Sequence, residues 1–190
     1  MAGMVLGRSF KQVLSPLLRA GGGLSTLESA LDELEDEADY PWEEFTTAVA
    51  EAAQTVAAQR LVEIGKAIIS VSKAEFERWG FDSVEAVLTD LDAPFGAKFI
   101  DPPEHERLTT AKYEPGYALF RVGAVHPREL VEGYLRGIVE VYGGEVKDYA
   151  CHHVIMNGQP YHLMELRWWT PARPQRRRRA PSGPRYRSVA

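Results

Sequence analysis

The sequence predicts an α+β fold, in which an N-terminal helical part precedes a β-β-α-β-β antiparallel sheet unit. Apolar residues recur at three-to-four spacing through the first half, which is typical of amphipathic helices. Asn157-Gly158 separates two runs of alternating side chains, 146–156 and 161–168, and Asn-Gly in that setting is the strongest short hairpin signal. A helix over 126–142, with Pro127 at its expected first position, precedes this hairpin.

The first half of the chain predicts five helices. The first covers 4–20, either alone or as a short strand followed by a helix, and Pro16 is expected to interrupt it. Ser25 and Glu28 have the spacing of a capping box at the start of the second helix. The others are predicted over about 42–69 with an interruption, over 72–80 behind a Ser72 cap, and over 83–92 behind a Ser83 cap.

The second half predicts two strand pairs. Residues 108–113 are expected to pair with 117–123, and a two-residue turn at Asn157-Gly158 pairs Met156 with Gln159. Because side chains alternate along strands, one side of the hairpin carries the pairs Ile155–Pro160, His153–His162, Cys151–Met164 and Tyr149–Leu166. This side is mostly apolar, so we expect it to face the core.

Two glycines in the helix over 126–142 are four residues apart and share one face. Each of Gly133 and Gly137 costs roughly 1 kcal/mol relative to alanine in a helix interior. Such a cost indicates a compensating close approach. We expect the helix to lie against a flat surface such as a sheet.

Length and composition predict one globular domain, residues 1–169, and a basic Pro/Arg-rich tail, 170–190. The 190 residues are 45% hydrophobic and 10% aromatic, which suits a globular protein. A single cysteine excludes an internal disulfide. The longest apolar run is under 18 residues, so no transmembrane segment is expected. The N-terminus lacks the order of a signal peptide, and we therefore expect a cytoplasmic protein.

The charge is unevenly distributed. Residues 170–190 hold seven of the 22 basic residues and no acid, which leaves 15 basic against 27 acidic residues in the body, a net charge near −12. An acidic body argues against a nucleic-acid-binding domain. The Arg-rich stretch 173–187 is expected to be disordered and to make weak contacts with polyanions.

The sequence contains no motif that indicates an enzyme. Walker, GxGxxG, HExxH and GxSxG patterns are absent, so no catalytic residue is assigned. Cys151, His153 and His162 share a face of the predicted hairpin and have ligand types that suit zinc or another borderline metal. The alternative, which we favour, is core packing with a cross-strand histidine pair. A Cys–His nucleophile would lack an orienting acid.

The element order and three short motifs carry a resemblance over residues 4–169. The motifs are Tyr40-Pro41-Trp42, Leu61–Gly65 and Leu166-Arg167-Trp168. With the order of helices and strands, they resemble a superfamily that contains three groups. These are haem–nitric-oxide-binding sensor domains, 4-vinyl-reductase-like small-molecule-binding domains, and a myxobacterial paralogous family of unknown function. The chain is most similar to the myxobacterial family.

The resemblance carries residues of the haem sensors onto this chain. Their Tyr-x-Ser-x-Arg motif binds haem propionates, and residues 117–121 keep Tyr117 and Arg121 but lack the serine. Those sensors hold iron with a histidine on the helix before the sheet. The corresponding region, Val84–Phe99, has no histidine, and His105 is the nearest. We therefore expect no stable haem binding, and the cofactor stays unassigned.

The resemblance to 4-vinyl-reductase-like domains concerns the hairpin. Those domains end with a cysteine, a Gly-Asp-Pro-like turn and a second cysteine. Here Cys151 matches the first cysteine, residues 158–161 resemble the turn, and His162 falls where the second cysteine would be.

The resulting hypothesis is a non-enzymatic sensory or small-molecule-binding module in bacterial signalling. A small apolar ligand would lie between the helices and the sheet, and the candidate lining residues are Trp79, Leu91, Phe95, Tyr117, Phe120, Arg121, Tyr134, Cys151 and Met164. The alternatives are a protein–protein adaptor with a filled core, and a haem or metal-binding gas or redox sensor. An enclosed pocket larger than about 300 Å³ would favour a ligand. Expected partners are the ligand, a partner protein or a second copy in a homodimer.

Overall fold

A computed structural model describes residues 3–21 and 25–171. The predicted capping box at Ser25 and Glu28 concerns side chains outside this description. The predicted disordered tail lies almost entirely outside it as well, since only residues 170 and 171 are described.

The chain has the predicted α+β organisation. The helical part consists of β1 Met4–Leu6, α1 Gly7–Gly21, α2 Ser25–Glu33, β2 Asp39–Pro41, α3 Trp42–Gln54, α4 Ala58–Arg78, α5 Val84–Leu88, α6 Asp92–Gly96 and β3 Phe99–Ile100. A 3-10 turn, Glu104–Glu106, leads to β4 Leu108–Glu114, β5 Tyr117–Gly123, α7 Arg128–Val141, β6 Glu145–Met156 and β7 Gln159–Trp169. The small strands form an antiparallel sheet in the order β2-β1-β3, and the large sheet has the order β4-β5-β7-β6.

The N-terminal helices correct two predictions. The short strand followed by a helix is confirmed, but Pro16 lies inside a continuous α1, whose apolar face is buried from Phe10 to Leu18. Ser72 is not a helix cap. It is buried within α4, where its hydroxyl donates to the carbonyl oxygen of Ile68 at 2.9 Å. A serine that bonds one turn back satisfies its own hydroxyl, so the helix continues through it.

The Ser83 cap and the two predicted strand pairs are present. Ser83 caps α5 by accepting from the amide of Ala86 at 3.1 Å. The hairpin register is confirmed from Met156–Gln159 to Asp148–Arg167, with an irregularity between Val146 and Asp148.

The hairpin faces the core along only part of its length. Met164 and Leu166 are fully buried, and Tyr149 and Cys151 pack against the core. Ile155 is 73% exposed near the turn, so the expected apolar face ends before the hairpin does.

Helices α4 and α7 cross in backbone contact. A Cβ on Gly133 would lie 2.3 Å from the carbonyl oxygen of Val62 and 2.8 Å from Cα of Gly65. A Cβ on Gly65 would lie 2.3 Å from the carbonyl oxygen of Leu130. The prediction that the glycines face a sheet was therefore wrong. They face α4, because a pair of glycines lets two helix backbones approach more closely than side chains allow.

The core is continuous between the helices and the large sheet. The sheet contributes Ala118, Phe120, Val122, Met164 and Leu166, all buried, and α7 contributes Leu130, Leu135 and Ile138. None of the helices within the described ranges has the combination of length and apolar character that crossing a membrane requires.

Candidate functional site

A small cavity lies between the N-terminal helices and the sheet half of the molecule. Its volume is about 40 Å³. Side chains of α1, α3, α4, α6 and α7 line it, and most are apolar: Val13, Phe45, Val49, Ile68, Phe76, Phe95, Leu130 and Tyr134. Larger depressions, such as a groove of about 360 Å³ beside α4, α7 and β6, are open surface features. The cavity is therefore the internal space where a ligand would meet both halves.

One side of the cavity is polar because Lys98 lies there. Its side chain is 10% exposed, and Nζ lies 2.8 Å from Gln12 Oε1, 3.1 Å from Ser72 Oγ and 3.0 Å from Glu75 Oε2. A protonated lysine has three N–H donors, so these three acceptors use all of them. The cluster is internally satisfied.

The acceptors of Lys98 are themselves held in place. Gln12 Nε2 donates to Ser72 Oγ at 3.0 Å, and Ser72 donates onward to the carbonyl oxygen of Ile68. The network thereby joins α1, α4 and the segment before β3. Burial lowers the pKa of Lys98, and the hydrogen bond and charge of Glu75 oppose that shift. The Phe76 ring, 5.8 Å from Nζ, adds a cation–π contact.

A histidine also lines the cavity. Nε2 of His126 lies 2.7 Å from the carbonyl oxygen of Glu106, and because a carbonyl only accepts, this nitrogen carries the proton. Burial lowers the pKa of His126, so its neutral form is favoured. Trp42 packs edge-on at 5.8 Å and donates its indole N–H to the Glu106 carboxylate. His126, in the segment between β5 and α7, thus contacts both α3 and the 3-10 turn.

The structure brings two of the predicted lining residues to this cavity. Phe95 and Tyr134 line it, with ring centroids 5.8 Å apart. Leu91 and Phe120 are fully buried elsewhere in the core, and Met164 lies beside Phe120 across the β5–β7 pair. Trp79 directly follows the last residue of α4 and is 39% exposed, and Gly80 after it has a φ of 91°.

Tyr117 and Arg121 face away from the cavity. Along β5 the buried residues are Ala118, Phe120 and Val122, and alternation places Tyr117 and Arg121 on the opposite face of the sheet. There Arg167 lies 4.8 Å over the Tyr117 ring, and Arg121 lies 5.5 Å over the ring of Tyr161. This pair therefore does not reach a ligand between the two halves.

The predicted metal ligands do not assemble into a three-ligand group. His153 and His162 face each other with ring centroids 5.6 Å apart, as the register required. Burial raises the pKa of the Cys151 thiol and lowers that of His162, and Arg128 is close enough to act electrostatically on both. Within residues 3–21 and 25–171, no group of three or more His, Cys, Asp or Glu side chains is arranged to hold a metal.

Sequence reasoning missed the polar side of the cavity. Ser72 occupies a position on the buried face of α4 between Ile68 and Phe76, and Lys98 precedes Phe99 in an apolar segment. A polar residue at an apolar position of a periodic pattern was the only available signal. It does not indicate which polar residues meet, because Gln12, Ser72 and Lys98 are far apart in the sequence.

Comparisons with known proteins identify similar solved structures. No protein-family model matches the chain, and a comparison with curated protein sequences gives no match either. A single-residue variant of Tt H-NOX superposes with a TM-score of 0.59 at 14% identity, covering 89% of this chain and 97% of that one. Unliganded Fe(II) H-NOX from K. algicida gives 0.56 at 8% identity, covering 85% and 96%. An oxygen-binding H-NOX domain related to soluble guanylate cyclases gives 0.52 at 11% identity, covering 85% and 87%.

Identities this low establish the fold alone. The similarity extends over both halves of the molecule, since more than four-fifths of each chain is covered. The protein therefore has an H-NOX-like α+β fold.

Proposed function

We propose that the protein is a non-enzymatic sensory or regulatory module of H-NOX-like fold that acts through contacts with other proteins. The observation that carries this proposal is the small volume of the cavity between its two halves. The cavity of about 40 Å³ falls far below the roughly 300 Å³ of a typical ligand pocket. Lys98, at its polar side, has all three donors occupied by protein acceptors.

The residues around the cavity do not fit a haem. A volume of about 40 Å³ accommodates a few atoms of water size, whereas a haem needs a slot for a whole macrocycle. Phe95 and Lys98 occupy the segment where the resemblance places an iron-binding histidine. His126 lines the cavity but commits Nε2 to the carbonyl oxygen of Glu106. We therefore assign no haem chemistry to this site.

The absorption spectrum of protein expressed with a haem supply tests this proposal. We expect no Soret band, and a native mass spectrum that shows the polypeptide mass alone. A strong Soret band that His105→Ala or His126→Ala removes would contradict it. A Tyr117→Phe variant is the matched control, because Tyr117 lies on the other face of the sheet and its substitution should leave the spectrum unchanged.

Binding of a small molecule is the second candidate function. The cavity is apolar around Phe95 and Tyr134 and polar around Lys98. This lining suits a compact apolar molecule that carries a hydrogen-bond acceptor at one end. Such a ligand would displace Gln12, Ser72 or Glu75 from the ammonium group. A small non-covalent mass excess in the native spectrum, absent from a Lys98→Met variant, would favour this function.

We further propose membership of the myxobacterial paralogous family and a role in bacterial signalling in the cytoplasm. Each of the three motifs that carry the resemblance contains a residue at a position that shapes the fold. Pro41 leads directly into α3, Gly65 forms the helix crossing, and Leu166 and Trp168 are buried on the sheet. Alignment with that family should show glycine at the positions of both Gly65 and Gly133. Side chains at both positions would contradict membership.

The basic tail is proposed to bind polyanions. Removing the residues after Thr170 is expected to leave the melting temperature unchanged, because this stretch is rich in arginine and proline and poor in apolar side chains. The full chain should bind heparin or an anionic vesicle with an affinity that falls steeply as salt rises, and the truncated chain should not. A large fall in melting temperature would show that the tail is structural instead.

A further inference from the structure

Strand β6 forms an edge of the large sheet and carries an unusually unprotected segment. It pairs with β7 on one side, and the strand order β4-β5-β7-β6 places no strand of the described chain on the other. Charged residues and the irregularity that protect edges occur only at its start, over 145–148. Residues 149–156 contain no Lys, Arg, Asp, Glu or Pro, and Ile155 is 73% exposed.

The turn determines which backbone groups of β6 point to the free edge. Asn157 and Gly158 have φ values of 52° and 78°, as a type I′ turn requires, so Met156 and Gln159 close the hairpin with hydrogen bonds. In an antiparallel pair, hydrogen-bonded residues alternate with residues that are not. The residues of β6 whose N–H and C=O groups point away from β7 are therefore Tyr149, Cys151, His153 and Ile155.

We propose that this edge binds the same edge of a second copy, in an antiparallel two-fold arrangement with His152 on the axis. Tyr149 then exchanges hydrogen bonds with Ile155 of the second copy, and Cys151 with His153. Within one copy the Tyr149 N–H donates to Asp148 Oδ1 at 2.9 Å, and in this register it exchanges the carboxylate for the carbonyl oxygen of Ile155. The other seven outward backbone groups gain partners directly. If the two strands were shifted by one residue, side chains from opposite faces of the two sheets would lie across from each other. If they were shifted by two residues, backbone groups at one end of the segment would have no partner.

The side chains suit the same register. On the helix-bearing face Tyr149 meets Ile155 of the second copy, which covers the exposed isoleucine. On the other face Ala150 lies across from Val154 of the second copy. His152 lies across from His152 of the second copy. Eight-residue strands form a small interface, so we expect a weak dimer that is populated at about 100 µM. The inference rests on the proposal that the module acts through protein contacts.

Charge exchange at the axis tests the pairing. Wild-type protein should be dimeric at about 100 µM by sedimentation equilibrium, and His152→Lys and His152→Asp should each be monomeric because like charges then oppose each other. An equimolar mixture of the two variants should form heterodimers. Val71→Lys and Val71→Asp are the controls, since Val71 on α4 is 70% exposed and lies away from the edge, and they should remain dimeric.

Cysteine cross-linking tests the register. In a Cys151→Ser background, His152→Cys places two thiols opposite each other with Cα atoms about 4.5 Å apart, within reach of a disulfide. Two copper(II)–phenanthroline complexes accept one electron each as the two thiols lose their protons and form the disulfide, which should convert this variant to a covalent dimer. Val154→Cys should not cross-link, because residue 154 of the second copy would lie about 13 Å away along the strand.

Three outcomes would overturn the inference: a monomeric wild type, a dimer that survives both His152 substitutions, or equal cross-linking of both cysteine variants. Each is independent of the absorption spectrum. A Soret band would contradict the absence of a haem-sized pocket without affecting the dimer, and a monomeric wild type would leave the conclusion about the pocket unchanged.

Discussion

Replacement of Gly133 with alanine is expected to lower the free energy of unfolding by about 3 kcal/mol or more. The new methyl group would lie 2.3 Å from the carbonyl oxygen of Val62 and 2.8 Å from Cα of Gly65. Both are backbone atoms, so the clash is relieved only if α4 and α7 separate along their contact. The gain in helix propensity, roughly 1 kcal/mol, opposes this cost but is smaller. Chemical denaturation measures the difference.

Two other glycines calibrate this experiment. A Cβ on Gly96 would have no atom within 4 Å, so Gly96→Ala should leave stability unchanged or slightly raise it. A Cβ on Gly137 would lie 3.0 Å from Cα of Lys66 and 3.1 Å from Cβ of Ile69. Gly137→Leu should therefore cost about 1–3 kcal/mol through overpacking. Equal melting temperatures for Gly133→Ala and Gly96→Ala would show that the helices are not in backbone contact.

Replacement of Glu75 with glutamine is expected to cost about 2–3 kcal/mol, because it leaves the ammonium group of Lys98 buried without a counter-charge. Fully buried pairs lose roughly 3–5 kcal/mol when one partner is removed, and the partial exposure of Glu75 reduces this figure. Lys98→Met should cost less than Glu75→Gln, because the charge it leaves unpaired, the Glu75 carboxylate, is 27% exposed and can be hydrated, and Gln12 stays bonded to Ser72.

The pH dependence distinguishes a charge effect from a packing effect. Because burial lowers the pKa of Lys98, the folded state loses this proton at a lower pH than the unfolded state does. Between these two pH values the unfolded state binds more protons than the folded state. The contribution of Lys98 therefore makes the free energy of unfolding rise with pH. The deficit of Glu75→Gln should therefore shrink as the pH rises from neutrality toward about 10. A deficit that is constant with pH would indicate lost packing instead.

The sequence predicted those parts of the fold that depend on local patterns. Asn157-Gly158 and the alternation around it determined the hairpin register pair by pair, because a two-residue turn leaves one pairing for all residues beyond it. Ser83 was recognisable as a cap because its hydroxyl acts three residues away. Gly133 and Gly137 indicated close packing but not its partner, since both α4 and the sheet lie against α7.

The site depended on contacts that local patterns do not encode. Phe95 and Tyr134, chosen as candidate lining residues, do lie at the cavity, but their role in binding a ligand stays a prediction. Tyr117 and Arg121 were chosen from a family motif, and the alternation of β5 turns both away from the cavity. The Lys98 cluster joins residues separated by up to 86 positions, and such separations follow only from the assembled fold.

The contact between Gly65 and Gly133 also has a mechanical consequence. Helices in backbone contact cannot slide or rotate against each other without a collision of main-chain atoms, so α4 and α7 are expected to move as one unit. The α1 helix is attached to this unit by side chains, among them the hydrogen bond from Gln12 to Ser72 on α4. A shear displacement is therefore expected between α1 and α4, where side chains and not backbone atoms are in contact, rather than between α4 and α7.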